Sequence, residues 1–262
     1  MNVAKSLNIS PKRQSENPWR VLAKTHRAGT TLPRHQHGTG QLVFAVSGVM
    51  LIEAGRSRWT VPPQRALWVP PRQPHSIQML SNTEMRTVYF ASPLIEQGIG
   101  IAQRNDVHVV VASPLIRELV LGLFDEQRGQ DMRHLMAQLL LHALRETECL
   151  PTDLPMPTEL KLRKALTRLM TNNDWMLPLN EVAARVAMSE RVFTRRFTAD
   201  VGISFRAWRQ RARIITSLDL LALNHSTKAI AQKAGFATSA AYASAFRKLL
   251  KCTPSRFRDI GA

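Results

Sequence analysis

Two stretches near the carboxy-terminal end repeat one another, and that repeat narrows the possible folds more than any other feature of the chain. Set side by side, EVAARVAMSERVFTRRF (181–197) and AIAQKAGFATSAAYASAF (229–246) bring Val182 onto Ile230, Ala183 onto Ala231, Val186 onto Ala234 and Met188 onto Phe236. Phe193 then falls on Tyr242 and Phe197 on Phe246 with the phase advanced by one, so the second copy holds an extra residue in its turn. Each copy reads as a short helix, a tight break and a second helix. Ala183 and Ala231 stand where two helices must pass closely, and a small side chain permits the steep crossing of a helix-turn-helix. Gly235 occupies the break of the second copy. Ser189 in the first copy, and Thr238 or Ser239 in the second, supply N-caps for the helix that follows. Within each copy the two aromatic residues are four apart, so they share one helix face directed at a core.

Charge identifies the kind of partner. The 262-residue chain carries 36 Lys and Arg against 19 Asp and Glu, a net +17. From residue 159 onward the balance is 19 against 7, so the excess is concentrated in the helical part. Such a surface attracts a polyanion, nucleic acid more naturally than an anionic membrane. Cys149 and Cys252 match no zinc spacing and are expected as reduced thiols of a cytoplasmic protein. The opening MNVAKSLNISPKRQSENPWR lacks the apolar core of a signal peptide, and no stretch reaches about eighteen apolar residues, so no membrane span is expected.

The amino-terminal half follows a different grammar. From Trp19 to about Phe90, six or seven short β-branched and aromatic runs alternate with Gly and Pro turns, the pattern of a small antiparallel barrel or sandwich. Helical periodicity then takes over. Ser113 is the expected N-cap of a helix with Pro114 in its first turn, and a later helix carries the stripe Leu135, Leu139, Leu140 and Leu144. CLPTDLPMPTE follows as an extended, proline-rich connector. The expected organisation is a flexible arm at 1–18, an all-β barrel at 19–110, a helical segment at 111–150, a linker at 151–158, and an all-α domain with two helix-turn-helix motifs at 159–262.

LNEVAARVAMSERVFTRRFTADVGISFRAWRQRARI and TKAIAQKAGFATSAAYASAFRKLLKCTPSRFR together resemble the DNA-binding domain of the AraC/XylS family of bacterial transcription regulators. PRHQHGTGQLVFAVSGVMLIEAGRSRWTVPPQRALWVPPRQPHSI more loosely resembles that family's cupin-type sensor domain. The resemblance implies a sequence-specific binder of double-stranded operator DNA, with two helix-turn-helices in adjacent major grooves and a homodimer formed through the amino-terminal half. It also implies a small-molecule effector and, for an activator, contact with RNA polymerase. The sequence departs from the family pattern at Lys251, where a glycine is usual before the Thr-Pro, and at Ser244, where an arginine is common.

A recognition helix turns its early residues to base edges, while phosphate contacts set register. On the first, Glu190, Arg191, Thr194 and Arg195 face outward, and Arg191 and Arg195 are the guanine readers by virtue of their rigid forks. On the second, Thr238, Ser239, Ala243 and Ser244 are candidates for base contact, with Arg247 and Lys248 on phosphates. Arg209 and Arg213 of the connecting helix are further DNA candidates. In the β half, His35, His37, Gln41 and His75 form the candidate effector site. Three histidines suit a metal, but Gln41 is a poor ligand where a cupin has an acid, so the pocket is expected to be metal-free and the protein to need no cofactor. Val43, Trp59, Trp68 and Tyr89 would line the rest of it, although as strand residues they are more often core than ligand-facing. Two rivals stand beside a non-enzymatic regulator: a cupin-type metalloenzyme fused to a helical domain, and a non-specific architectural nucleic-acid binder.

Overall fold

Successive strand residues point to opposite faces, and the run QLVFAV is apolar on both. Its strand is therefore covered on both sides. The computed structural model describes residues 17–63, 65–98, 106–147 and 149–259; most of the expected arm lies outside them. Eight strands come first: β1 (Trp19–His26), β2 (Thr31–His35), β3 (Gly40–Ser47), β4 (Met50–Ala54), β5 (Ser57–Val61), β6 (Arg65–Val69), β7 (His75–Met79) and β8 (Thr83–Phe90). Helix α1 (Ser92–Gly98), strand β9 (His108–Val111), and helices α2 (Pro114–Gly122) and α3 (Gln130–Glu146) follow. Two short strands, β10 (Cys149–Leu150) and β11 (Asp153–Pro155), complete the half.

The strands form two antiparallel sheets, ordered β1-β8-β3-β6-β9-β10 and β11-β5-β4-β7-β2. Of the barrel and sandwich that the sequence left open, the structure has two facing sheets. Val43, Ala45, Leu67 and Val69 of the first sheet meet Met50, Ile52, Val61, Ile77 and Met79 of the second in one core. The alternate residues Leu42, Phe44, Ala66, Trp68, Val88 and Phe90 turn the other way, against α1, α2 and α3. Trp68 therefore belongs to the helix-covered face and does not line a pocket between the sheets. Each fully buried side chain of this size contributes about 1.5–3 kcal/mol.

Ser113 caps α2 as expected, its hydroxyl accepting from Ile116 N–H at 3.3 Å. In α3 the leucine stripe is split. Ala137, Leu140, Leu141 and Leu144 are buried on the sheet, whereas Met132, Leu135 and Leu139 are 53%, 59% and 47% exposed on another face.

The proline-rich connector is extended, and it is built into both sheets. Cys149 and Leu150 pair with Val110 and Val109; Asp153, Leu154 and Pro155 pair with Trp59, Arg58 and Ser57. Helices α4 (Leu160–Thr171), α5 (Leu179–Ala184), α6 (Glu190–Val201), α7 (Phe205–Ile215), α8 (Leu218–Ala222), α9 (Thr227–Lys233), α10 (Ser239–Leu250) and α11 (Pro254–Asp259) make the second domain. Among the described residues no helix is long and apolar enough to cross a membrane.

The sequence repeat is also a structural one. Ala187 and Gly235, which align in the repeat, both take the left-handed conformation, at φ 57 and 72. Each lets the next residue's N–H reach back five positions, Met188 to Ala183 at 3.0 Å and Phe236 to Ala231 at 2.8 Å. Those bonds close the ends of α5 and α9. Ala183 and Ala231 are buried at the crossings. A third left-handed residue, Lys251 (φ 58), ends α10. The position where the family favours glycine thus has the backbone that glycine suits, held here by a residue with a Cβ.

Opposite effects on stability are expected at these caps. Lys251→Gly relieves the left-handed cost and should stabilise the domain by about 0.5–1 kcal/mol. Gly235→Ala should destabilise it by about 1–2 kcal/mol, because φ is +72 and a new Cβ would sit 2.9 Å from Trp175 Cβ. Gly202→Ala, at φ +82 but with nothing near its Cβ, should cost less. Urea unfolding with an unchanged m-value checks the order.

Candidate functional site

Helix α6 starts at Ser189, whose hydroxyl accepts from Val192 N–H. Phe193 and Phe197 sit edge-on to Phe205, with ring centroids 5.0 and 5.3 Å away. Those rings fix the inward face, and Glu190, Arg191, Thr194 and Arg195 all lie exposed on the remainder. Neither Arg191 nor Arg195 makes an ion pair among the described residues. Their guanidinium groups are available to an outside acceptor.

Helix α10 is built to the same plan. Thr238, not Ser239, is the cap, accepting from Ala241 N–H at 3.0 Å. Tyr242 and Phe246 are fully buried. The Tyr242 hydroxyl lies 3.0 Å from Ser217 Oγ, which itself donates to the Ile214 carbonyl at 2.7 Å. Tyr242 is therefore the donor to Ser217, and burial pushes its pKa up to about 12. Thr238, Ser244, Arg247 and Lys248 are exposed, while Ser239 and Ala243 are half-buried.

Arg209 and Arg213, expected to contact DNA, have intramolecular partners. Arg213 donates from Nε to the Ala234 carbonyl at 2.6 Å and from a terminal nitrogen to the Gly235 carbonyl. Its guanidinium also covers the Phe236 ring at 3.7 Å. It braces the turn between α9 and α10. Arg209 lies over the Phe205 ring at 4.6 Å and is half-buried. Arg209 also donates to the Trp175 carbonyl at 3.4 Å, so both arginines of α7 have protein groups as neighbours.

The histidines converge as expected at one end of the two-sheet core. Register places His35 opposite His75 across β2 and β7, and Gln41 opposite Tyr89 across β3 and β8. Ring centroids are 4.4 Å apart for His35 and His75, 5.2 Å for His37 and His75, and 6.1 Å for His35 and His37. His75 is fully buried, His37 half-buried and His35 exposed. The Gln41 side chain spans His37 Nε2 at 2.8 Å and the Tyr89 hydroxyl at 3.3 Å. His37 Nδ1 lies 2.8 Å from the Thr39 carbonyl, which can only accept. His37 Nε2 in turn faces the Gln41 side-chain oxygen, and the Gln41 NH2 donates to the Tyr89 hydroxyl. Arg20 stacks 3.9 Å over the Tyr89 ring. Sequence reading places Tyr89 in the pocket but does not find Arg20, because cross-strand partners carry no local signal.

Comparisons with known proteins divide along the same line. Residues 21–149 match the model of an AraC-like ligand binding domain, and residues 182–260 match a helix-turn-helix domain. The HTH-type transcriptional regulator NimR of Escherichia coli is 29% identical over 257 residues, covering 96% of this chain and 92% of that protein. RipA of Corynebacterium glutamicum, also an HTH-type transcriptional regulator, is 33% identical over 111 residues, 42% of this chain and 33% of its own length. The regulatory protein PocR of Salmonella typhimurium is 31% identical over 106 residues, 40% of this chain and 35% of that protein.

The pocket makes stability depend on pH. Burial above all pushes the His75 pKa down to about 4, with His35, His37 and Arg34 adding to the effect and the Gln73 carbonyl opposing it. The unfolded chain, with an ordinary histidine pKa near 6.5, binds the proton that the folded state refuses. Stability from this group is thus fully present above pH 6.5 and is lost as pH falls towards 4. Between pH 7.5 and 5 the loss should be about 2 kcal/mol. Denaturant unfolding with a chelator present checks it, and His75→Asn, if it folds, should flatten the profile.

Proposed function

We propose that the chain is a sequence-specific DNA-binding transcription regulator of the AraC/XylS type, with an amino-terminal effector-type domain joined to a helix-turn-helix domain. From that premise we propose that both helix pairs, α5–α6 and α9–α10, act as helix-turn-helices on one operator. The observation that carries this reading is their common plan: a left-handed cap, a buried alanine, a capped second helix and an outward polar face. Arg191 and Arg195 read guanines, Glu190 and Thr194 flank them, and Thr238, Ser239, Ala243 and Ser244 make the sparser second set. Arg247 and Lys248 hold phosphates. Arg209 and Arg213 act as internal supports.

The two sheets serve as a flattened, cupin-like sensor, its effector chamber lying among His35, His37, Gln41 and His75. The protein works in the cytoplasm as a homodimer, meeting RNA polymerase if it activates. Its functional units follow the division expected from sequence, with 19–110 sensing, 111–150 dimerising and 159–262 binding DNA. The relatives named above are regulators, which favours this reading over a metalloenzyme.

Occupied promoters mapped across the genome would supply the natural operator. Full-length protein should bind that operator far more tightly than a scrambled duplex, with affinity falling steeply as salt rises. Arg195→Ala should cost about 1–3 kcal/mol at one base pair and relax preference there, whereas Arg213→Ala should lower stability and leave the preference profile unchanged. Equal affinity for operator and scrambled duplex would support the architectural binder.

The exposed Met132, Leu135 and Leu139 face supports pairing through α3, since its apolar residues are not spent on the sheet. Leu135→Glu with Leu139→Glu should convert dimer to monomer in sedimentation without unfolding the β half. A wild-type chain that sediments as a monomer at micromolar concentration would count against it.

A further inference from the structure

Helices α7 and α10 pack together, and an open groove of about 510 Å³ runs along their junction. On the α7 side it is lined by Ala207, Gln210, Arg211 and Ile214, whose spacing i, i+3, i+4, i+7 puts them on one face. On the α10 side it is lined by Ala245, Lys248 and Leu249, three and four residues apart. The floor is apolar. Ile214 and Ala245 are buried, Leu249 is half-buried and Ala207 is exposed.

The rim carries charge of one sign. Among the described residues that line the groove none is acidic, and Arg206, Arg211 and Lys248 are cations. Arg211 is already satisfied: its Nε donates to the Asp153 carbonyl at 2.7 Å, and a terminal nitrogen pairs with the Asp153 carboxylate. Arg206 and Lys248 are exposed and make no ion pair among the described residues. Lys248 also stands apart from the expected reading surface of α10. Ala243 and Arg247, four apart, share one flank, whereas Ala245, Lys248 and Leu249 occupy another. A DNA backbone has no use for an apolar floor, since phosphate oxygens packed there lose water and gain no partner. An α-helix with one apolar face fits such a trough, its anchors recurring at i, i+3, i+4 and i+7.

We propose that the groove between α7 and α10 docks an acidic, amphipathic helix of a second protein. The partner's apolar face lies on Ala207, Ile214, Ala245 and Leu249, and its carboxylates meet Arg206 from α7 and Lys248 from α10. An alanine on each wall lets the incoming helix approach closely, because interaxial distance follows the side chains at the contact. Gln210, exposed on the same face, is free to hydrogen-bond the partner. The two cations steer the encounter and fix its orientation, while the floor supplies the holding energy. Lys248 thereby leaves the phosphate set, in which Arg247 remains. The docking surface stands on the geometry of α7 and α10; its consequence for transcription rests on the DNA-binding function proposed above.

The test gives full-length protein a labelled synthetic peptide of about four helical turns, with leucines along one face and glutamates along both flanks. A scrambled peptide of the same composition, which forms no apolar face, is the control. Fluorescence anisotropy should show the amphipathic peptide binding at least about 10-fold more tightly than the scrambled one. Arg206→Glu combined with Lys248→Glu should weaken that binding at least about 10-fold, as should Ala207→Glu on the floor. Thermal unfolding of both variants should match the parent, which separates a lost surface from misfolding. The double variant should hold its operator as tightly as the parent yet fail to regulate a promoter reporter. Equal binding of the two peptides, or none, overturns the docking surface. Reduced operator affinity in the double variant overturns it too, by making the groove a phosphate contact, and so does unchanged regulation of the reporter. A parent protein that cannot tell operator from scrambled duplex would instead remove the DNA-binding function, and the peptide measurements would still decide the groove.

Discussion

The main-chain pairing of residues 149–155 with both sheets is the constraint on which the rest of the arrangement depends. β10 extends the first sheet at β9 and β11 extends the second at β5. A free proline-rich tether would leave the helical domain to diffuse; a tether hydrogen-bonded into both sheets carries their geometry into it. Helix α7 grips the same strand, with Trp208 Nε1 donating to the Pro155 carbonyl at 2.7 Å and Arg211 Nε to the Asp153 carbonyl at 2.7 Å. α7 also joins the two helix pairs, so the element that holds them together is the one fastened to the β half.

Two further contacts limit how the domains can move apart. Arg56 pairs with Asp200, at the end of α6, at 2.5 Å, and Asp200 accepts from Thr158 N–H at 2.7 Å. Arg65 of β6 is buried under the Phe257 ring at 4.2 Å and donates to the Phe257 carbonyl at 3.2 Å. Burial pushes the Arg65 pKa down to about 10, yet at neutral pH it remains a cation. Separating the domains would return that charge to water while exposing Phe257.

The helical domain was largely legible in the chain because its signals are local. Small residues at crossings, polar caps and aromatic residues four apart act within one or two turns, and the structure places nearly all of them as expected. The inward and outward faces of α6 follow from Phe193 and Phe197 alone. The β half was legible as strands but not as an arrangement. Period-two alternation in QLVFAV says that both faces are buried; it does not say that Leu42 and Phe44 meet helices while Val43 and Ala45 meet the second sheet. Alternation alone therefore leaves open which face of the sheet Trp68 joins. The split of the leucine stripe in α3 escaped for a related reason, since periodicity finds an apolar face but not how wide a face the sheet will cover.

The sequence by itself determined the basic charge and the doubled helix-pair grammar of the carboxy-terminal part, the residue types on the outward faces of α6 and α10, and the three histidines. These depend on spacing along the chain, and the chain carries its own spacing. Tertiary structure decided which cations stay free. Arg195 and Arg213 look alike in sequence, yet one remains in solvent and the other is consumed by the Ala234 and Gly235 carbonyls. It also decided that three rings from β2, the turn after it and β7 converge, with Gln41 bridging His37 and Tyr89 beside them. Both outcomes hang on hydrogen bonds to groups brought near only by the fold, and a polar group's chemistry is set by the partner it finds rather than by its neighbours in the chain.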